Sequence, residues 1–348
     1  MDELSFMNMK KYFQKMKHYD YVLLGESTHG TEEYFRIRLA QTILLVHDFG
    51  FRTILFETEW SIGYQLNLFI HSQLDGNIKD ILHQISDYPR WMTNNEYIMK
   101  LLLFLKKWNL ENDKDKVYFY GIDCQDIELA NENICYDENM NCTIVQEIIQ
   151  NYYKMNQKGN NYWNMRDTFW LHIMDSIKKK RYKTKFILWA HNSHIGNCKA
   201  NRKSKTKLNI GYLLHDKYNA LKVGFITYHG TVMASHREDK QGRKRVLKPA
   251  RKDSFEDIFH QISLKVKLKS FIYYCNPSFT DEKSFRYVGV VYDTDNEYES
   301  HYQKTNINRE YDCIIYIDQT NYLPLSTSLQ MKKMKSIKNN YEQCKKLF

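Results

Sequence analysis

Between Gly25 and Gly30 the chain reads Glu-Ser-Thr-His, so a carboxylate (Glu26) and an imidazole (His29) stand three residues apart on the turn that leaves the first apolar run. Histidine titrates near neutral pH and can take a proton from water as that water attacks an electrophile. A glutamate beside it would hold the ring in one tautomer and stabilise the imidazolium that forms. Arg38, nine residues after His29, could bind a carboxylate or meet a developing oxyanion. Further ionisable residues close other apolar runs: Glu57 and Glu59 in LFETEW, Asp123 in YGIDCQD, His191 and His194 in LWAHNSH, and His229 in ITYHG. A His194 N–H is a second candidate donor to an oxyanion. Two other chemistries draw on the same residues. Glu26, His29, Glu57, His191 and His194 could ligate a divalent cation that generates hydroxide, yet their spacing follows no dedicated metal motif and Arg38 would repel the ion. Ser27 could serve as a nucleophile, but no G-x-S-x-G elbow frames it.

A parallel sheet is what would bring these distant residues together. Apolar, β-rich runs at 21–25, 52–57, 116–123, 185–191, 222–229, 271–275, 286–292 and 312–318 predict strands, and the first five are apolar nearly throughout, as strands buried on both faces must be. Helical patterns cover 31–48, 61–73, 94–108, 143–155, 162–179 and 209–218. The alternation predicts an α/β fold, a largely parallel central sheet flanked by helices with additional helical embellishments. Long loops are expected at 190–209 and around 137–140. Ligands of such sheets sit beyond the carboxyl ends of the strands. The expected site is therefore one crevice faced by Glu26, His29, Glu57, Asp123, His191, His194 and His229. Charges at the ends of buried strands are costly unless they are paired or used.

Composition narrows the class. The 348 residues are 43% hydrophobic and 26% charged, which fits a globular chain long enough for a substantial core. No stretch approaches the ~18 apolar residues of a membrane helix, and the N-terminus lacks a signal peptide's apolar centre; a cytoplasmic protein is expected. Seven scattered cysteines without a CxxC pair suggest reduced thiols rather than a zinc site or disulfides. The net charge of +10 is mostly lysine, in runs at 178–185, 199–207 and 237–252 that read as solvated loops and helix ends. No nucleic-acid motif accompanies that charge, which counts against nucleic acid as a partner. With four prolines, no linker and no repeat, one continuous domain is expected.

The segment LLGESTHGTEEYFRIRLAQTILLVHDFGFRTILFETEW resembles the opening of the erythromycin esterase family, where a G-E-x-x-H-G-type turn precedes an arginine and a strand ending in glutamate. ILWAHNSHIG is similar to that family's second block, W-A-H-N-x-H. Weaker matches extend the similarity over about residues 18–326. It implies an esterase-like α/β domain at 18–326, with 1–17 as an N-terminal helical extension and 327–348 as a basic tail or helix. It also implies hydrolysis of a carboxylic ester or macrolactone without a covalent intermediate or cofactor. His29 would be the general base, Glu26 and Glu57 would orient and polarise, and Arg38, His191 and His194 would bind substrate and stabilise charge, with Asp123 and His229 alongside. The implied partner is a small-molecule ester or lactone. Two alternatives stay open: a metal-dependent hydrolase built on the same cluster, and an inactive relative that binds an anionic partner.

Overall fold

Tyr21–Leu24 and Phe186–Trp189 bury every side chain, as strands covered on both faces require. Along the first of these, Val22 and Leu24 enter one core and Tyr21 and Leu23 the other, the period of two that a strand imposes. The computed structural model describes residues 1–85, 89–124, 146, 150, 162–200, 206–236, 239–325 and 345–348. Most of the helix expected at 143–155, the loop at 137–140 and most of the tail at 327–348 lie outside the described residues.

The strands are β1 (Asp2–Glu3), β2 (Tyr21–Leu24), β3 (Thr53–Glu59), β4 (Tyr118–Asp123), β5 (Phe186–Trp189), β6 (Ala220–His236), β7 (Asp239–Leu247), β8 (Ser270–Tyr274), β9 (Lys283–Arg286), β10 (Tyr302–Thr305) and β11 (Cys313–Thr320). Nine form one sheet in the order β1-β8-β11-β6-β2-β5-β3-β4, with β7 paired to β6; β9 and β10 make a separate pair. The six strands from β11 to β4 run parallel, and β1, β7 and β8 are antiparallel additions. The expected α/β class holds. One face carries α1 (Phe6–Lys15), α2 (Glu32–Phe49), α3 (Trp60–Ile70), α4 (Ile78–Ile85) and α5 (Glu96–Glu111); the other carries α6 (Tyr162–Lys180), α8 (Ile210–Lys217) and α9 (Phe255–Val266). Short helices α7 (Asn192–Ile195), α10 (Glu297–Ser300) and α11 (Ile307–Glu310) complete the fold. Among the described residues no helix is long and apolar enough to cross a membrane.

Several expectations need correction. The run 286–292 is not a strand beyond Arg286. Beyond it the chain makes only isolated bridges among the described residues, Val288 to Thr28 on the turn after β2 and Val291 to Ser235 of β6. The basic stretch 237–252, read as loop, contains β7, an edge strand whose exposed lysines and arginines discourage pairing with other chains. Strand β6 does not end near His229 but runs on to His236, because β7 and β11 keep its backbone paired. The region 190–209 is also not a plain loop, since α7 and a 3-10 turn at Cys198–Ala200 lie within it.

Candidate active site

The turn after β2 is pinned on all sides. Gly25 N–H donates to the Val223 carbonyl at 2.8 Å, Asn192 N–H to the Glu26 carbonyl at 2.8 Å, Val288 N–H to the Ser27 carbonyl at 2.7 Å, and Met233 and Leu323 N–H to the Gly30 carbonyl. Both glycines are needed for close approach. A Cβ on Gly25 would lie 2.2 Å from Asn192 Oδ1, and one on Gly30 would lie 1.9 Å from the Met233 carbonyl oxygen. The turn therefore presents Glu26 and His29 in one fixed arrangement. Ser27 does not join it: its hydroxyl bonds Tyr34 Oη at 2.8 Å.

His29 Nδ1 lies 2.8 Å from Glu26 Oε1, and Arg38 donates to Glu26 Oε2 at 2.5 Å. Arg38 is fully buried, stacked between Phe35 and Trp189 at 4.5 and 4.6 Å from their ring centres. It thus sits behind Glu26 instead of reaching over the crevice. Burial lowers the Arg38 pKa against the pull of Glu26 and Glu57. For His29 burial also acts downward, but Glu57 and Glu26 outweigh it and its pKa is raised.

A second cluster meets the first. His191 N–H donates to Glu57 Oε2 at 2.7 Å, and the His191 ring stands 4.8 Å, centre to centre, from that of His29. His191 Nδ1 accepts the Ser193 amide at 3.3 Å and faces Ser193 Oγ at 2.8 Å, so the ring proton belongs on Nε2. That nitrogen is buried beside the Ser27 backbone and makes no hydrogen bond of ordinary geometry among the described residues. Burial and the neighbouring His29 charge hold His191 well below the usual histidine range. His194 stacks on Trp163 at 4.2 Å and against Trp170 at 4.6 Å. Its Nδ1 lies 2.7 Å from Asp167, and its Nε2 lies 3.2 Å from Arg166 Nη1 and 3.4 Å from Glu57 Oε1. Both ring nitrogens are therefore engaged. Burial pushes the His194 pKa down to about 3 and that of Asp167 well up, driving the pair toward neutral forms.

Arg166 joins these groups. Its Nε reaches Asp123 Oδ1 at 2.9 Å, its Nη2 bonds Asp123 Oδ2 and lies 3.1 Å from Glu57 Oε1, and its guanidinium lies over Trp170 at 4.9 Å. Burial works against that charge, but Asp123 and Glu57 raise its pKa well above the arginine norm. Glu57 would be raised by burial, yet the two histidines and Arg166 hold it below the usual carboxylate range. His29, Glu57, Asp123 and Arg166 line one cavity of about 180 Å3, with Glu59, Thr93 and Val290 among its other walls.

The structure therefore brings Glu26, His29, Arg38, Glu57, Asp123, His191 and His194 into one connected array. His229 is placed elsewhere, in the middle of β6 opposite Gln319 of β11, and does not line this cavity. Arg166 and Asp167 were missed. A readable signal existed, because Trp163, Arg166, Asp167 and Trp170 recur at helical spacing and mark one face of α6. A charged pair flanked by two tryptophans is an unusual face to bury.

The erythromycin esterase family model matches residues 46–137 and 126–320. A curated relative, the erythromycin esterase type II of Escherichia coli, is 33% identical over 103 residues, a stretch that spans 29% of this chain and 23% of the relative. Among solved structures, a Bacillus cereus protein superimposes with a TM-score of 0.69 at 16% identity over 93% of this chain and 94% of its own. A succinoglycan biosynthesis protein gives 0.66 at 17% identity, covering 91% and 92%. A mutant of the erythromycin esterase EreC in its open conformation gives 0.62 at 14% identity, covering 93% and 96%. These structures share the fold, while the family model covers the greater part of the sequence. The chain belongs to the erythromycin esterase family.

Proposed function

We propose that this protein hydrolyses a carboxylic ester or lactone of a small molecule with histidine-activated water and no covalent intermediate. The observation that carries the reading is His29: Nδ1 is held by Glu26, Glu26 is held by Arg38, and Nε2, with no partner among the described residues, is left for the cavity. His29 Nε2 takes a proton from water as the water oxygen bonds the carbonyl carbon and the carbonyl electron pair moves onto oxygen. Glu26 stabilises the resulting imidazolium. Arg166, the arginine lining the cavity, supplies positive potential to that oxyanion. Collapse expels the alkoxide, which receives the proton from His29. In this reading Glu57 and His194 position Arg166 and the His191 backbone, and Arg38 keeps Glu26 aimed. The roles expected for Arg38 and His194 thus move from substrate contact to positioning.

A resident cation fits these residues poorly. Arg38 occupies Glu26, and Arg166 occupies Glu57 and Asp123. The group of three whose ligand atoms converge within 4.8 Å among the described residues is His236, Asp293 and Asp295, none of which belongs to this array. The cavity bounded by the described residues is smaller than the ~300–1,000 Å3 typical of drug-sized ligands. It seats the ester group and its nearest substituents. The same reading takes 18–326 as the esterase-like domain and a cytoplasmic setting, supported by free thiols at Cys124, Cys198, Cys275 and Cys313.

The test is a panel of aryl esters, alkyl esters and macrolactones, run with the wild type and His29→Ala, with chelator and with metal add-back. Hydrolysis of at least one substrate that the variant lacks supports the proposal. Absence of any difference between the two proteins overturns it, and chelator loss rescued by metal overturns the metal-free form.

A further inference from the structure

A second, larger cavity bounded by described residues lies at the opposite edge of the sheet. It measures about 660 Å3 and opens where β6 and β11 begin, walled by α1, α8, α11 and the end of β8. Four cations face it, Lys11, Lys15, Lys222 and Arg309, against two carboxylates, Asp2 and Asp312. One of these carboxylates is neutralised by a cation and the other accepts a neutral hydroxyl. Asp312 pairs with Lys222 at 2.9 Å and accepts its amide at 2.7 Å, and Asp2 accepts the Tyr274 hydroxyl at 2.7 Å. Lys11, Lys15 and Arg309 therefore have no ion-pair or hydrogen-bond partner for their side chains among the described residues, and neither has the nearby His215. Lys11 and Lys15 come from the same face of α1, one turn apart, while Arg309 and His215 come from two other helices. Two helices thus bring three unpaired cations to one space against a single carboxylate not paired with a cation, Asp2, which leaves a net positive cavity suited to an anion.

The walls of the cavity are partly aromatic. Tyr12 and Tyr274 pack at 5.2 Å between ring centres and Tyr19 completes an aromatic wall. Rings and lysines lining one space accommodate a ligand with a planar ring and a multiply charged end.

We propose that this cavity binds a phosphorylated, ring-bearing small molecule of nucleotide size. Its phosphates are held by Lys11, Lys15 and Arg309 and its ring lies along Tyr12, Tyr19 and Tyr274. The inference is independent of the ester chemistry, because it concerns the other edge of the sheet and is read by binding alone.

Calorimetric titration of the full chain with ATP and with inorganic tripolyphosphate, at two salt concentrations, tests it. Saturable binding of ATP is expected at one site, weakening as salt rises, at least tenfold weaker in a Lys11→Ala/Lys15→Ala double variant and weaker again for tripolyphosphate, which lacks the ring. Both lysines are exposed, so the double variant should fold, and circular dichroism checks that it does. Absence of saturable binding, or equal binding by the double variant, overturns the site. Tripolyphosphate binding as tightly as ATP overturns the ring-bearing assignment.

Discussion

At the carboxyl ends of β2 to β5, Glu26, Glu57 and Asp123 each meet an arginine at hydrogen-bond distance. At the amino ends of β6 and β11, three cations have no such partner among the described residues. The first region is small, buried and electrostatically closed on itself; the second is more than three times larger and has unspent charge. Volume alone would point away from the proposed reaction centre. A reaction centre needs groups whose geometry is fixed before substrate arrives, and pairing inside a low-dielectric site provides that fixity. A binding cavity gains from charges that remain unsatisfied until the ligand arrives.

Substitutions can break or sharpen this contrast. His29→Ala should remove the base from the first region and lower kcat/KM by about 10²–10⁴-fold, with an unchanged circular dichroism spectrum; comparable activity in the variant would defeat the mechanism. Arg166→Ala should cost about 10²–10³-fold in kcat, the range for loss of one oxyanion donor, whereas an effect confined to KM would reassign Arg166 to ground-state binding. Arg38→Met should act mainly on stability. It leaves Glu26 buried without its cation, a change of about 3–5 kcal/mol in comparable pairs, readable by denaturant melts.

The pH profile sharpens the contrast further. His29 must be neutral to act as base, and its raised pKa places the acid limb of kcat/KM above the ordinary 6.5. Rate therefore climbs with pH through that higher midpoint, and Glu26→Gln, by removing a carboxylate that raises it, should move the midpoint down. Stability carries the opposite sign for His191 and His194. Both are held neutral in the fold, so below 6.5 the unfolded chain takes up protons that they do not, and stability falls toward pH 3. Each contributes up to ~1.4 kcal/mol per pH unit. His29, with its raised pKa, offsets part of this, since its contribution is present below 6.5 and lost as pH rises. Urea melts at pH 7.5 and 5.5 should show a shallower difference in His191→Asn. The smallest effect on hydrolysis belongs to the second region, where the Lys11→Ala/Lys15→Ala double variant should leave kcat/KM unchanged while weakening anion binding. A matching loss in both assays would mean that the two edges are coupled.

Much of the first region is legible in the sequence. Apolar runs such as Tyr21–Leu24 and Phe186–Trp189 are too uniformly buried to be anything but central strands, and the residues just past their carboxyl ends face the crevice by topology. Glu26, His29, Glu57, Asp123, His191 and His194 are all found in that way. His229 obeys the same rule and is not part of the array, because whether a strand stops or runs on depends on its neighbours, and here β7 and β11 carry β6 past that residue. Arg166 closes no strand. It enters from α6, and its role becomes visible only where that helix crosses the strand ends.

Local chemistry along the chain thus determines which residues can titrate, which turn needs glycine and which runs must be buried, since these depend on side-chain types and periods. Long-range packing decided the rest: that Arg38 lies behind Glu26, that Arg166 is the cation facing the cavity, and that three basic side chains share a second space. Contacts between α6 and β4, or between α1 and α11, join residues more than forty positions apart, and no local pattern encodes which of several compatible partners a buried charge will meet.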